Sequence, residues 1–111
     1  MRLFAQSSRG LSRDGRAKPD LCAPGTGIVA AQANAPTDGA VSNDGTSMAA
    51  PHVTGAIAVA FSAVAKAGKP LPGANRVRQA LRQTTQTFTH VHDAGFGSGI
   101  LDAEKFFDQF V

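Results

Sequence analysis

Ser47 is the residue whose surroundings best suit covalent chemistry. It lies between Gly45-Thr46 and Met48-Ala49-Ala50-Pro51, where a polar, turn-rich stretch gives way to an apolar run ending near Ala65. A helix opening there aims free backbone N–H groups and the positive end of its dipole at the serine, an arrangement that favours an oxyanion. The small residues Gly45, Ala49 and Ala50 leave room for a substrate backbone. The same pattern also describes an ordinary N-cap, the commonest duty of a serine before a helix. Two other groups carry potential chemistry. His90-Val91-His92 sets two imidazoles on one face of an extended segment beside Asp93, but no convincing fourth zinc ligand accompanies them, and they read as surface-loop residues. Cys22, the single cysteine, lies between Leu21 and Ala23 and reads as a small buried apolar group. One cysteine forms neither an internal disulfide nor a thiolate zinc cluster.

The elements that must position Ser47 follow from periodicity and punctuation. From Ala49 to Ala65, the residues Val53, Ile57, Val59, Phe61 and Val64 fall around the whole helical wheel with alanine between them, which predicts an interior helix. Proline is tolerated in a first turn, so Pro51 places the helix start just after Ser47. Ala67-Gly68 before Lys69-Pro70 supplies the stop. A second, amphipathic helix follows Pro72-Gly73-Ala74-Asn75, with Val77, Ala80 and Leu81 inward and its arginines outward. Asp102 is an N-cap for a short last helix whose Phe106, Phe107 and Phe110 form one apolar side. Leu21-Cys22-Ala23 reads as a short strand. Ile28 to Ala31 is either a strand or one helical turn, residues 32–46 are loop, 84–92 loosely extended, and 95–99 a turn.

The string Gly45-Thr46-Ser47-Met48-Ala49-Ala50-Pro51-His52-Val53 resembles the nucleophile motif of the subtilisin-like serine peptidases, the subtilases. Other segments match in the same order. Ser7-Ser8-Arg9-Gly10, Lys18-Pro19-Asp20 and Ala23-Pro24-Gly25-Thr26 are similar to segments that precede that motif. Val77-Arg78-Gln79-Ala80-Leu81 and Gly97-Ser98-Gly99-Ile100-Leu101-Asp102-Ala103 are similar to segments that follow it. The resemblance covers nearly all of residues 1–111 and implies the C-terminal, nucleophile-bearing part of a catalytic domain. The implied fold is a layered α/β fold with a parallel sheet, incomplete here. The sequence departs from the pattern at Asp44, where Ser or Asn is usual, which adds a negative charge near the nucleophile that bears on leaving-side binding. Gln6 also stands where Phe is usual.

The resemblance implies that Ser47 attacks a peptide carbonyl and that its own N–H helps hold the oxyanion. Thr46 would shape the same pocket, while Asn43, Asp44 and Gly45 would line the substrate groove. It implies a polypeptide substrate, no cofactor and no metal in the chemistry, Met48 as a packing residue open to oxidation, and His52 as a packed structural residue. Relatives of this kind are commonly secreted, although Met1-Arg2 followed by Leu3-Phe4-Ala5 is far too short for a signal peptide. The order of triad residues in this family is Asp, His, Ser. All three histidines here follow Ser47, so the Asp and His motifs and the oxyanion Asn belong to sequence outside this chain. His52 cannot substitute for the base: it lies ~140° around a helix from Ser47. The expectation is an endopeptidase part that is inactive alone and partners the missing N-terminal half. The alternative is an inactive truncated or split-gene product serving as a binding module.

Competing readings fail on order, length or composition. An α/β-hydrolase elbow, Gly-x-Ser-x-Gly with Ala49 for the last glycine, needs an acid and then a histidine after the serine, and no His follows the first acid, Asp93. Gly25-Thr26-Gly27-Ile28-Val29-Ala30 fits a loose dinucleotide fingerprint, but Pro36 and the polar loop cut off the long helix it requires. The 111 residues suit one domain, 17% charged and 42% hydrophobic, which is neither disordered nor collagen-like. Net charge is +3, with Arg2, Arg9, Arg13, Arg16 and Lys18 clustered early and Arg76, Arg78 and Arg82 later. With only Phe4 near the first cluster to stack on a base, these read as solvated faces, not a nucleic-acid surface. The apolar run from Met48 to Ala65 has the length of a membrane span, but its alanines and its Pro51, His52, Thr54, Gly55 and Ser62 argue for a helix buried in protein. Separated from its covering layers, such a helix should make the chain unstable or self-associating.

Overall fold

Residues 28–31 and 40–43 alternate too little to announce a sheet, yet they pair. In the computed structural model, which describes residues 2–86 and 91–111, strand β1 (Ile28–Ala31) runs antiparallel to β2 (Ala40–Asn43), with Ile28 opposite Asn43 and Ala31 opposite Ala40. The stretch expected to be loop from 32 to 46 therefore contains a strand, because hairpin closure through residues 32–39 gives its backbone groups partners that local propensity does not. Three helices follow: α1 (Thr46–Lys66), α2 (Ala74–Thr84) and α3 (Ala103–Asp108). The architecture is a small α/β one. Parallel pairing, among the described residues, is confined to one bridge between Cys22 and Ile100, while Ile100 also bridges Gln86 in the antiparallel sense. Cys22 N–H donates to Gly99 O (2.9 Å) and Leu101 N–H to Cys22 O (2.8 Å), so three separate segments lie side by side there. Residues 87–90, part of the predicted 84–92 extended stretch, lie outside the described residues.

The helix ends follow the residues that stop them. Asp102 caps α3, its Oδ1 accepting from the Lys105 N–H at 2.9 Å. At the end of α1 the N–H groups of Ala67, Gly68 and Lys69 return to the carbonyls of Ala63, Ala65 and Val64. The start of α1 differs from expectation. The helix begins at Thr46, before Ser47, so Pro51 sits in the second turn and has no N–H to offer the Ser47 carbonyl four residues back. The reason is Gly45, whose φ of 148° turns the end of β2 directly into helix and so advances the first turn.

The core forms where α1, α2 and α3 meet: Ala60, Val77, Ala80, Leu81 and Phe106 are buried, and Leu21, Val53, Ile57, Phe61, Leu101, Phe107 and Phe110 close around them. Phe106 is fully buried and meets Phe110 edge to face at 5.1 Å. Arg76 stacks over the Phe110 ring at 4.9 Å, one of three α2 arginines that point outward as the amphipathic pattern requires. Arg82 and Lys18 both grip Asp20, the lysine at 2.6 Å. Burial alone would raise the Asp20 carboxyl, but hydrogen bonds and charge from Lys18 and Arg82 outweigh it and hold the group below its ordinary value.

The expectation of an enclosed α1 is not met within these residues. Of its 21 residues only Ala60 and Val64 are buried, and Val59 is 61% exposed. α2 and α3 cover one side of a helix whose apolar residues run all round, and no second layer is supplied by residues 2–86 and 91–111. By length and composition alone α1 is also long and apolar enough to cross a membrane.

Candidate active site

The predicted site residues form one unbroken turn from sheet to helix. Asn43 ends β2 opposite Ile28, Asp44 and Gly45 form the connection, and Thr46 and Ser47 are the first two residues of α1. Ser47 is solvent-exposed, as are Asn43, Asp44 and Thr46, while Gly45 is half-buried. The helix mouth has no side-chain cap and no acidic residue in its first turn; Met48 N–H returns to Gly45 O at 3.0 Å. The amides of Thr46 and Ser47 precede any intrahelical acceptor, so they are free to meet an external oxyanion with the helix dipole behind them. Ser47 is therefore at the open end of a 21-residue helix, its hydroxyl accessible and its backbone N–H in the orphan first turn. This geometry can host acyl transfer once a base is supplied.

Two short loops are fastened together beneath this turn. Gly45 N–H donates to Gly25 O at 2.7 Å, and Gly27 N–H donates to Asp44 Oδ1 at 2.6 Å. A Cβ on Gly25 would come within 2.8 Å of the Gly45 carbonyl oxygen and 3.4 Å of the Ala49 Cβ, so only glycine lets the two backbones approach this closely. Sequence reasoning assigned Gly25 and Gly27 no part in the site. Their signal was the Pro24-Gly25-Thr26-Gly27 run, which also suggested a dinucleotide loop. Gly27 leads straight into strand β1 and not into a helix, which removes that reading.

Among the described residues no histidine is hydrogen-bonded to Ser47. His52 is exposed and not packed; its Nδ1–H donates to Met48 O at 2.8 Å, so the ring is tied to its own helix one turn back. The ring stays in solvent because this side of α1 has no covering layer among the described residues. His92 bonds through Nε2 to the Pro19 carbonyl at 3.0 Å, and His90 lies outside the described residues. Among the described residues no group of three His, Cys, Asp or Glu is gathered as a metal site would need. Asp93 instead organises the 93–97 turn: its Oδ1 accepts from Gly95 and Phe96 N–H at 2.7 and 2.8 Å, and these bonds hold its carboxyl below the ordinary value. Cys22 is half-buried, with its Sγ donating to Gly99 O at 3.4 Å, and burial raises its thiol pKa, which makes it a poor nucleophile.

Comparisons with known proteins agree on one group. A family model described as the Subtilase family matches residues 2–99. The chain is 41% identical over 91 residues to the extracellular basic protease of Dichelobacter nodosus, covering 78% of this chain and 15% of that protein. It is 35% identical over 85 residues to alkaline elastase YaB of Bacillus sp. (strain YaB), covering 77% of this chain and 20% of that protein. The chain thus spans a fifth or less of the length of these curated relatives. Among solved structures it is similar to the Clostridium perfringens CspB protease, with a TM-score of 0.81 at 27% identity over 97% of this chain and 23% of that one. The PatG macrocyclase domain gives 0.64 at 33% identity over 79% of this chain and 27% of the other.

Proposed function

This chain belongs to the subtilase family and has a subtilisin-like fold, and on that premise we propose that Ser47 is the nucleophile of a serine endopeptidase whose other catalytic groups lie outside these 111 residues. The observation that carries the reading is the exposure of Ser47 at the uncapped mouth of α1. The Ser47 Oγ attacks a peptide carbonyl while a histidine from outside the chain takes its proton. The carbonyl electrons move onto oxygen, and the Ser47 N–H meets the resulting oxyanion. Collapse of the tetrahedral species expels the amine with that proton, and water then releases the acyl group. Thr46 borders the oxyanion pocket, and the backbone of Asn43, Asp44 and Gly45 forms the floor along which the substrate backbone passes. The substrate is a polypeptide.

His52 does not serve as the base, since its side chain leaves α1 about 140° around the helix from that of Ser47 and its Nδ1–H turns back to the Met48 carbonyl; His92 is held at the Pro19 carbonyl. The exposed apolar sides of α1, Val59 among them, give the chain a surface on which the part bearing the Asp and His motifs docks. The test is covalent. A fluorophosphonate is added to the chain together with a segment carrying those motifs, and the adduct is located by mass spectrometry. The expected adduct is on Ser47 and is absent in Ser47→Ala, which also loses peptide hydrolysis by at least about 10⁴-fold. An adduct elsewhere, or hydrolysis that survives Ser47→Ala, overturns the proposal.

A further inference from the structure

Residues 43, 44 and 45 each bond across to the segment before and into β1, but not in the same way. Asn43 pairs with Ile28 in the ladder, and Gly45 N–H donates to Gly25 O at 2.7 Å. Between these backbone rungs, Gly27 has turned out of strand geometry, with φ at +63°, so its N–H is met by a side chain: Asp44 Oδ1 at 2.6 Å. The carboxylate thus ties Gly27 to the turn between the ladder and the Gly45–Gly25 contact. Gly45 is the N-cap of α1, and the nucleophile's amide lies two residues beyond it.

From this arrangement we infer that Asp44 is a positioning residue for the nucleophile, holding the Gly25–Gly27 loop against the sheet-to-helix turn so that the Ser47 N–H keeps one orientation; the inference rests on the reading of Ser47 given above. Asp44 acts through an acceptor oxygen, and its role in the turn does not depend on touching substrate. Without that bond the turn is held at this point by the Gly45–Gly25 rung and the Asn43–Ile28 pair on either side. The Gly27 amide then opens to water and the first-turn amides sample a wider range. An oxyanion donor displaced by a fraction of an ångström weakens the transition state far more than the bound ground state. The loss accordingly appears in kcat and not in KM. Asparagine, which keeps an Oδ1 acceptor of the same reach without the charge, preserves the bond; alanine removes it.

Two measurements test this, one independent of catalysis. Amide hydrogen exchange at Gly27 is compared in the 111-residue wild-type chain, Asp44→Ala and Asp44→Asn. Exchange is expected to be at least about tenfold faster in Asp44→Ala and near wild type in Asp44→Asn. Equal exchange in wild type and Asp44→Ala overturns the clamp. In the protease completed by the segment bearing the Asp and His motifs, Asp44→Ala is expected to lower kcat about tenfold with KM little changed, and Asp44→Asn to restore most of it. A change confined to KM, or equal losses in the alanine and asparagine variants, assigns Asp44 a charge role toward substrate and overturns positioning. If the completed wild-type protein hydrolyses no peptide at all, the function proposed for Ser47 fails and the positioning role falls with it, while Gly27 exchange still decides whether the clamp exists.

Discussion

The two ends of α1 are built on opposite terms. At its C-terminal half Ala60 is buried in one cluster with Val77, Ala80, Leu81 and Phe106, Val64 is also buried, and Phe106 is sealed. At its N-terminal end Ser47 is exposed, no side chain caps the helix, and the β1–β2 hairpin that feeds it has no buried residue. One region is held by apolar burial, the other by a few polar contacts between backbone segments. The packed end fixes where the helix axis points, and the open end leaves the first-turn amide of Ser47, the proposed nucleophile, accessible. A site that receives a substrate oxygen cannot also satisfy its own donors, so low burial here is what the proposed function requires.

If that contrast is right, damage to the packed end should be expensive. Phe106→Ala removes the large side chain that, among the described residues, is fully enclosed in the core, and should cost about 3–5 kcal/mol in urea unfolding; a loss below about 1 kcal/mol would mean the core is not what holds α1. Gly97→Ala comes next, at about 2 kcal/mol, because Gly97 has φ +63° and a Cβ there would lie 2.6 Å from the Asp20 carbonyl. Asp20→Asn should cost about 1–2 kcal/mol at neutral pH by weakening the bonds to Lys18 and Arg82. The pH dependence has a definite sign. The folded-state carboxyl is held below its unfolded value, so its contribution is complete above that unfolded value and is lost as pH falls through the folded one. The gap between wild type and Asp20→Asn should therefore close in acid, and a gap that widens in acid would contradict the ion-pair account.

The open end predicts the reverse sign. Gly55 lies mid-helix in α1, and a Cβ added there would meet nothing outside its own helix within 4 Å, so Gly55→Ala should stabilise the isolated chain by about 0.5–1 kcal/mol. In the protein completed by its covering layer, a tight helix crossing at Gly55 would turn that gain into a loss. Measuring the variant in both states therefore locates the layer that α1 lacks within these residues.

Much of the site was legible because it is written locally. The run from Gly45 to Val53 marks the sheet-to-helix turn that carries the proposed nucleophile, and Asp102 marks a cap that forms, accepting from the Lys105 N–H. What was not legible depends on partners far away in the chain. Ala40 to Asn43 has no strand signature and pairs only because β1 lies beside it. The Asp20–Arg82 contact spans 62 positions, and the Asp44 contact with Gly27 needs the hairpin to exist first. The start of α1 was misplaced because the rule for proline in a first turn assumes a free approach to the helix. Here Gly45 delivers the chain from a strand already turning, and the helix starts two residues earlier than that rule suggests. The all-apolar pattern of α1 predicts an enclosed helix, and the described residues cover only one side of it.

The central claim is that Ser47 is poised but lacks its base, and the rate of fluorophosphonate labelling tests it most directly. The chain alone should label at Ser47 slowly, and addition of a segment bearing the Asp and His motifs should raise the rate by at least about 10³-fold, with no adduct in Ser47→Ala. Rapid labelling of Ser47 in the chain alone would contradict the account, because the activating imidazole would then have to lie within these 111 residues.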